Sequence, residues 1–195
     1  VHFLENHDER RIASVFQGDE LRAAALLHLA MPGMRLFHDG QDRGFRQHTS
    51  VHLKRRPFER PSIQITSMYD LLARALKATC IGKGDPKVLK PTRAWPDNDT
   101  SDDIIAIQWR KDEWNFDIAV INLGARRGQC RVKPEIENAS GKRWQMLELL
   151  GERSSVREGD AMQSMGLLFD LAPHGAEVFH FRSEEHTSEL QSPCN

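Results

Sequence analysis

Two short polar clusters have the residue types for chemistry. Asn6, His7 and Asp8 follow the apolar run that ends at Glu5, and His38 and Asp39 follow MRLF, just ahead of Gly40 and Gln41. A carboxylate beside an imidazole sets a hydrogen-bond acceptor next to a donor. If the two apolar runs are parallel strands, both clusters sit just past strand C-termini, where α/β folds build their sites. Plainer readings stay open. NHDE also suits a solvated turn in which Asp8 caps the next segment, and HDGQ suits an ordinary turn with Gly40 at positive φ.

The elements that must position these residues can be read from the pattern. Residues 1–5 and 34–38 read as short strands. Between them, Gly18, Asp19 and Glu20 mark a helix start, with Asp19 able to cap it, and LRAAALLHLAM continues it. That helix is apolar nearly all round and should be buried; Pro32 and Gly33 stop it. A loop rich in Arg, Gly and His then leads to SIQITSMYDLLARALKA, where Ile65, Met68, Leu72 and Ala75 fall near helical spacing. Strand, helix, strand, helix is the alternation of a parallel sheet with crossover helices. Residues 81–103 are rich in Gly, Pro, Asp and Lys and read as a linker. Beyond them IIAIQW, FDIAVINL, QCRVK, RWQMLELL, LLFDLA and EVFHF are separated by turn signals, as in an antiparallel sandwich.

Composition narrows the function classes. The chain has 195 residues, with 27 Lys plus Arg against 28 Asp plus Glu, so charge gives no reason to expect nucleic acid or an anionic membrane as partner. No apolar run approaches the roughly 20 residues of a membrane span. Cys80, Cys130 and Cys194 form no CxxC and read as free thiols. No HExxH pairing is present, and neither a catalytic metal nor another cofactor is expected. Trp95, Trp109, Trp114 and Trp144 read as core or linker packing rather than sugar platforms. The basic loop from Arg43 to Arg56 reads as solvated. The final stretch, Arg182 to Asn195, resembles a translated sequencing-library adapter, and with one large apolar residue, Leu190, it has no face to bury. Its Glu184, Glu185 and His186 are left out of the functional reading. The first residue is Val1 rather than Met, and the chain is expected to start inside a longer protein.

FLENHDE resembles the fourth conserved region of the α-amylase family of glycoside hydrolases, at the end of the seventh strand of a (β/α)8 barrel. PGMRLFHDGQ is similar to the eighth-strand segment that comes next there, where an acidic residue precedes Gly-Gln. WQMLELLGERSSVREGD and GLLFDLAPHGAEVFHF resemble the last strands of the sandwich domain in bacterial members. The resemblance covers residues 1–181. It implies an α/β plus all-β architecture: the last two strand–helix units of the barrel in residues 1–80, a linker over 81–103, an antiparallel β-sandwich over 104–181, and a foreign tail over 182–195.

The same resemblance implies a retaining hydrolase or transglycosylase acting on α-linked glucans or glucosides. Asp8 matches the carboxylate that grips sugar hydroxyls and favours the distorted ring; His7 matches the imidazole that donates to the same sugar; Asn6 supports the pair. His38 and Asp39 would line the sugar cleft or form a simple loop hydrogen-bond pair. A carboxylate and an imidazole together can hold a vicinal diol. The family's nucleophile and general acid come from the ends of the fourth and fifth strands, which this chain lacks, so the chain alone should not turn over. Where relatives continue Glu-Pro-Arg, this sequence has Glu9-Arg10-Arg11, which loosens the loop. The last turn, Ala172 to Ala176, lacks the aromatic residues that relatives carry. Two other readings are a barrel that has lost catalysis and serves as a binding or partner subunit, and a sandwich that binds carbohydrate.

Overall fold

In a computed structural model, which describes residues 1–151 and 153–185, three layers stack on one another. The outermost layer holds two helices. Helix α1 (Gly18–Ala30) carries Asp19 and Glu20 in its first turn, where carboxylates suit the positive end of the dipole. Gln17 rather than Asp19 is the N-cap, and Asp19 instead faces Arg22 at 3.4 Å. Helix α2 (Ile63–Lys77) starts as a capped helix should, with Ser62 Oγ accepting from the Ile65 N–H, and its buried stripe runs through Tyr69, Leu72 and Ala75.

The middle layer is a six-stranded antiparallel sheet. It is built from β1 (Asp85–Leu89), β3 (Ile104–Arg110), β4 (Asn115–Asn122), β6 (Arg143–Glu148), β7 (Ser154–Glu158) and β9 (Ala176–Ser183), in the order β1-β3-β4-β9-β6-β7. The third layer is the small antiparallel sheet of β2 (Thr92–Arg93), β5 (Gly128–Val132) and β8 (Leu167–Leu171). One short helix, α3 (Gly159–Ser164), closes the side between β7 and β8.

Side-chain alternation divides the middle sheet between two cores. Phe116, Ile118, Val120, Trp144, Phe179 and Phe181 point at Cys130, Val132, Phe169 and Leu171 of the small sheet. Phe116 stacks on Phe181 at 4.4 Å and meets Trp144 edge-on at 5.3 Å. Ile107, Trp109, Ala119, Ile121, Ala176 and Val178 point the other way, at Ala23, Leu26, Ala30 and Leu72 of the helices. Burial on both faces is why IIAIQW and FDIAVINL are apolar almost throughout, whereas β6, exposed on its outer face, alternates strictly. The two-sheet sandwich expected after the linker is therefore present.

Three expectations need correction. The barrel units are not evident: residues 1–5 and 34–38 meet in a single parallel bridge, His2 opposite Arg35, rather than as two strands. His2 N donates to Met34 O and Leu36 N to His2 O, both at 3.0 Å. A parallel pair with no third strand beside it gains too little to propagate, and Val1, Phe3 and Met34 stay 81%, 44% and 69% exposed. Second, residues 81–103, read as a linker, contribute β1 and β2 to the two sheets. Helices and sandwich are thus joined by a shared core: Trp109 Nε1 donates to Ala30 O at 2.8 Å. Third, Arg182 and Ser183 belong to β9, opposite Gln145 and Trp144, and Glu184 N donates to Arg143 O at 2.9 Å. Backbone pairing is indifferent to the origin of the side chains. Residues 186–195, including His186, Leu190 and Cys194, lie outside the described residues.

Candidate functional site

Asn6 makes the first turn. Its Oδ1 accepts from Asp8 N at 2.8 Å and Glu9 N at 2.9 Å, so its side chain replaces backbone acceptors and bends the chain away from the bridge. That turn leaves His7 and Asp8 at the surface, with His7 Nε2 3.3 Å from Asp8 Oδ2 and the Asp8 side chain 77% exposed. His48 Nε2 donates to His7 O at 2.9 Å and so ties the basic loop to the turn. Arg46 of the same loop donates to Ala13 O, and its backbone N–H is held by Glu59. The loop read as solvated is therefore anchored at several points. His48 and His52 are four residues apart but lie outside any helix, so the spacing sets up no shared face. Among the described residues, no group of three or more His, Cys, Asp or Glu side chains could hold a metal ion.

The two clusters are joined by residues whose pattern in the sequence points to no site. Glu5 is fully buried; its Oε2 accepts from Ile12 N at 2.6 Å and its Oε1 faces Arg11 Nη2 at 3.1 Å. Arg11 is buried too, and it reaches across to the second cluster. Its Nη2 donates to Asp39 O at 2.8 Å, and its Nη1 donates to His38 Nδ1 at 3.0 Å. Arginine has only donors, so the His38 ring is neutral, with its proton on Nε2. Burial, then the Arg11 charge, hold the His38 pKa below the ordinary histidine value. Glu5 is pushed above the usual carboxylate range by burial, against the opposing pull of Ile12 N–H and Arg11. The one available signal for this pair is a carboxylate closing an apolar run, a position where a buried charge demands a partner.

Gly40 follows at φ 81°, and a Cβ there would sit 1.9 Å from the Phe45 ring, so the turn accepts glycine alone. Gln41 is buried and donates to Tyr69 Oη at 3.1 Å, which fastens the turn to α2. Asp39 faces out and pairs with Arg56 at 3.0 Å; that guanidinium lies 4.3 Å from the Phe45 ring centre. The outcome is a pocket of about 210 Å³ lined by His7, Arg11, His38, Asp39, Phe45 and Arg56, among others. Three of the five expected site residues share its wall. Asn6 shapes the turn behind it, and Asp8 stands beside His7 without lining it.

The tryptophans divide. Trp109 and Trp144 are core, while Trp95 is half exposed and Trp114 carries the Lys142 ammonium 3.8 Å above its ring.

No protein-family model matches the chain, and no curated protein matches it. Solved structures do. An α-amylase from Geobacillus thermoleovorans, determined in complex with acarbose, aligns with a TM-score of 0.69 at 14% identity over 93% of this chain. A noncanonic maltogenic α-amylase from Thermotoga neapolitana aligns at 0.66 and 16% over 93%, and an Anoxybacillus α-amylase at 0.62 and 15% over 92%. The chain spans 38%, 41% and 37% of those three structures. At such identities the likeness is one of fold: this chain has the fold of a part of α-amylase family glycoside hydrolases.

Proposed function

We propose that this chain carries the sugar-gripping part of a glycosidase or transglycosylase site for α-linked glucans, with Asp8 as the carboxylate that stabilises the transition state. His7 is the neighbouring donor, and His38 and Asp39 line the cleft. The observation that carries this reading is the buried Glu5–Arg11–His38 link. It fixes the residues after two parallel segments at one pocket, with an imidazole and carboxylates at its wall and rim. The likeness of fold to α-amylases, one of them in complex with acarbose, supports the substrate class.

The chemistry follows from the groups. Asp8 accepts from, and His7 donates to, adjacent sugar hydroxyls, and the pair binds best when the ring flattens toward an oxocarbenium-like geometry. The neutral His38 supplies an Nε2–H donor. Retaining cleavage also needs two carboxyl groups about 5–5.5 Å apart as nucleophile and acid. Three other acids near the pocket are engaged elsewhere: Glu5 with Arg11 and Ile12 N–H, Asp39 with Arg56, Glu59 with the Arg46 and Gln47 amides. On this reading the nucleophile and acid are supplied from outside residues 1–80, whose two short segments meet in a single parallel bridge.

The 195-residue chain should not hydrolyse an aryl α-glucoside. In a longer protein that contains this stretch and turns over, Asp8→Asn should lower kcat about a hundredfold or more, the usual size of one lost transition-state contact. His7→Ala should cost less. Hydrolysis by the chain alone, abolished by Asp8→Asn, would show that the site is already complete and overturn this reading.

A further inference from the structure

A second pocket, of about 670 Å³, lies where the end of α2 and the loop after it meet the β3–β4 hairpin and β9. Four permanent cations line it: Lys77, Lys83, Lys111 and Arg182. They come from a helix end and the loop just after it, a hairpin, and a strand, so three separate stretches of sequence meet here. The one carboxylate in the lining, Asp117, is buried and fully engaged. Its Oδ1 holds His180 Nδ1 at 2.8 Å, and its Oδ2 accepts from Cys80 N at 2.7 Å.

The remaining charge is almost unopposed. Among the described residues Lys77, Lys83, Lys111 and Arg182 form no ion pair, and the exposed Asp112 carboxyl lies near Lys111. Lys77 has a local reason for its place, since cations suit a helix C-terminus. The other three sit in a loop, a hairpin and a strand. General basicity does not explain the cluster, because the chain as a whole has a net charge of −1. A cleft walled by one sign of charge focuses the field and concentrates counter-ions. Arg182 belongs to the stretch of adapter-like sequence; the three lysines and His180 do not, and they carry the argument.

We propose that this pocket binds a small polyanion bearing two or more phosphate groups. Lysine is a compact point charge suited to phosphate oxygens, and several separated ammonium groups match several separated phosphates better than one carboxylate. The volume fits a ligand larger than a single phosphate. None of the pocket's residues belongs to the proposed sugar site, so the two readings stand or fall separately.

The test is calorimetric titration of the whole chain with inorganic tripolyphosphate and with fructose 1,6-bisphosphate, at low and at physiological ionic strength. Saturable one-to-one binding of either is expected, and the tighter of the two identifies a polyphosphate or a sugar phosphate as the source. Lys77→Ala/Lys83→Ala/Lys111→Ala should weaken binding about tenfold or more with an unchanged circular dichroism spectrum. Lys54→Ala/Arg55→Ala, in the basic loop, should leave it unchanged. Binding of neither probe would overturn the proposal. So would undiminished binding by the triple variant, or equal weakening by the loop pair.

Discussion

The sandwich and the first forty residues are made of similar apolar runs, yet they end in different states. IIAIQW and FDIAVINL become β3 and β4, each flanked by strands on both sides and covered on both faces. VHFLE and MRLF meet in one bridge and leave Phe3, Met34 and Phe37 at the surface. The difference lies in neighbours rather than in propensity. A strand gains stability when a ladder forms on each side and its faces are covered; a two-membered parallel pair has neither. The helices escape this fate because their backbone bonds are internal and their apolar sides have the sheet to cover.

The largest effect should come from the well-covered region. Phe116→Ala removes a ring that touches both Phe181 and Trp144 between the two sheets, and should destabilise the chain by about 3–5 kcal/mol in a denaturant titration. A loss below about 1 kcal/mol would mean that the sandwich core is far looser than its packing implies.

A smaller effect should appear where helix and bridge meet. His28 is buried in α1, edge-on to His2 at 5.3 Å and stacked with Phe37, and its ring nitrogens have no partner. Burial lowers its pKa, and the nearby Arg35 charge lowers it further, against an opposing contribution from the His2 backbone. With the folded pKa below the unfolded value, the stability it contributes is complete above about pH 6.5 and is lost as pH falls through the folded pKa. His38, shifted the same way, adds to the trend. Acidification from neutral pH should lower the Tm, and His28→Leu should flatten that dependence. An unchanged slope in the variant would place the sensitivity elsewhere.

The smallest effect belongs to the uncovered surface. Phe3→Ser/Met34→Ser should change stability by no more than about 0.5 kcal/mol per site while reducing aggregation, since both side chains stay largely at the surface. A large destabilisation would show that the bridge is more than a marginal contact.

Legibility in the sequence divides along the same line. Both long helices, and the six strands with an alternating or β-branched pattern, can be read because burial writes its period into the sequence. Strands β1 and β7 leave no such trace. Both are sheet edges, exposed along most of their length, and DPKVL carries a proline where only an edge strand tolerates one. At the site, the surface residues Asn6, His7, Asp8, His38 and Asp39 stand out through resemblance and position. The buried Glu5–Arg11 pair that joins them does not, because charge partners that meet across a fold leave no period to read. A turn at Gly40 is one of the two readings of HDGQ, and the positive φ of that glycine fits it.

If the rim of the small pocket, and not the sandwich, meets sugar, a titration of the chain with acarbose will show it in the imidazole NMR resonances of the histidines and in the backbone amides. His7 and His38 should shift together, with the largest amide changes in residues 5–12 and 38–48, and Asp8→Asn should weaken the response. Shifts confined to the strands of the sandwich, with His7 and His38 unmoved, would contradict this and favour a carbohydrate-binding sandwich instead.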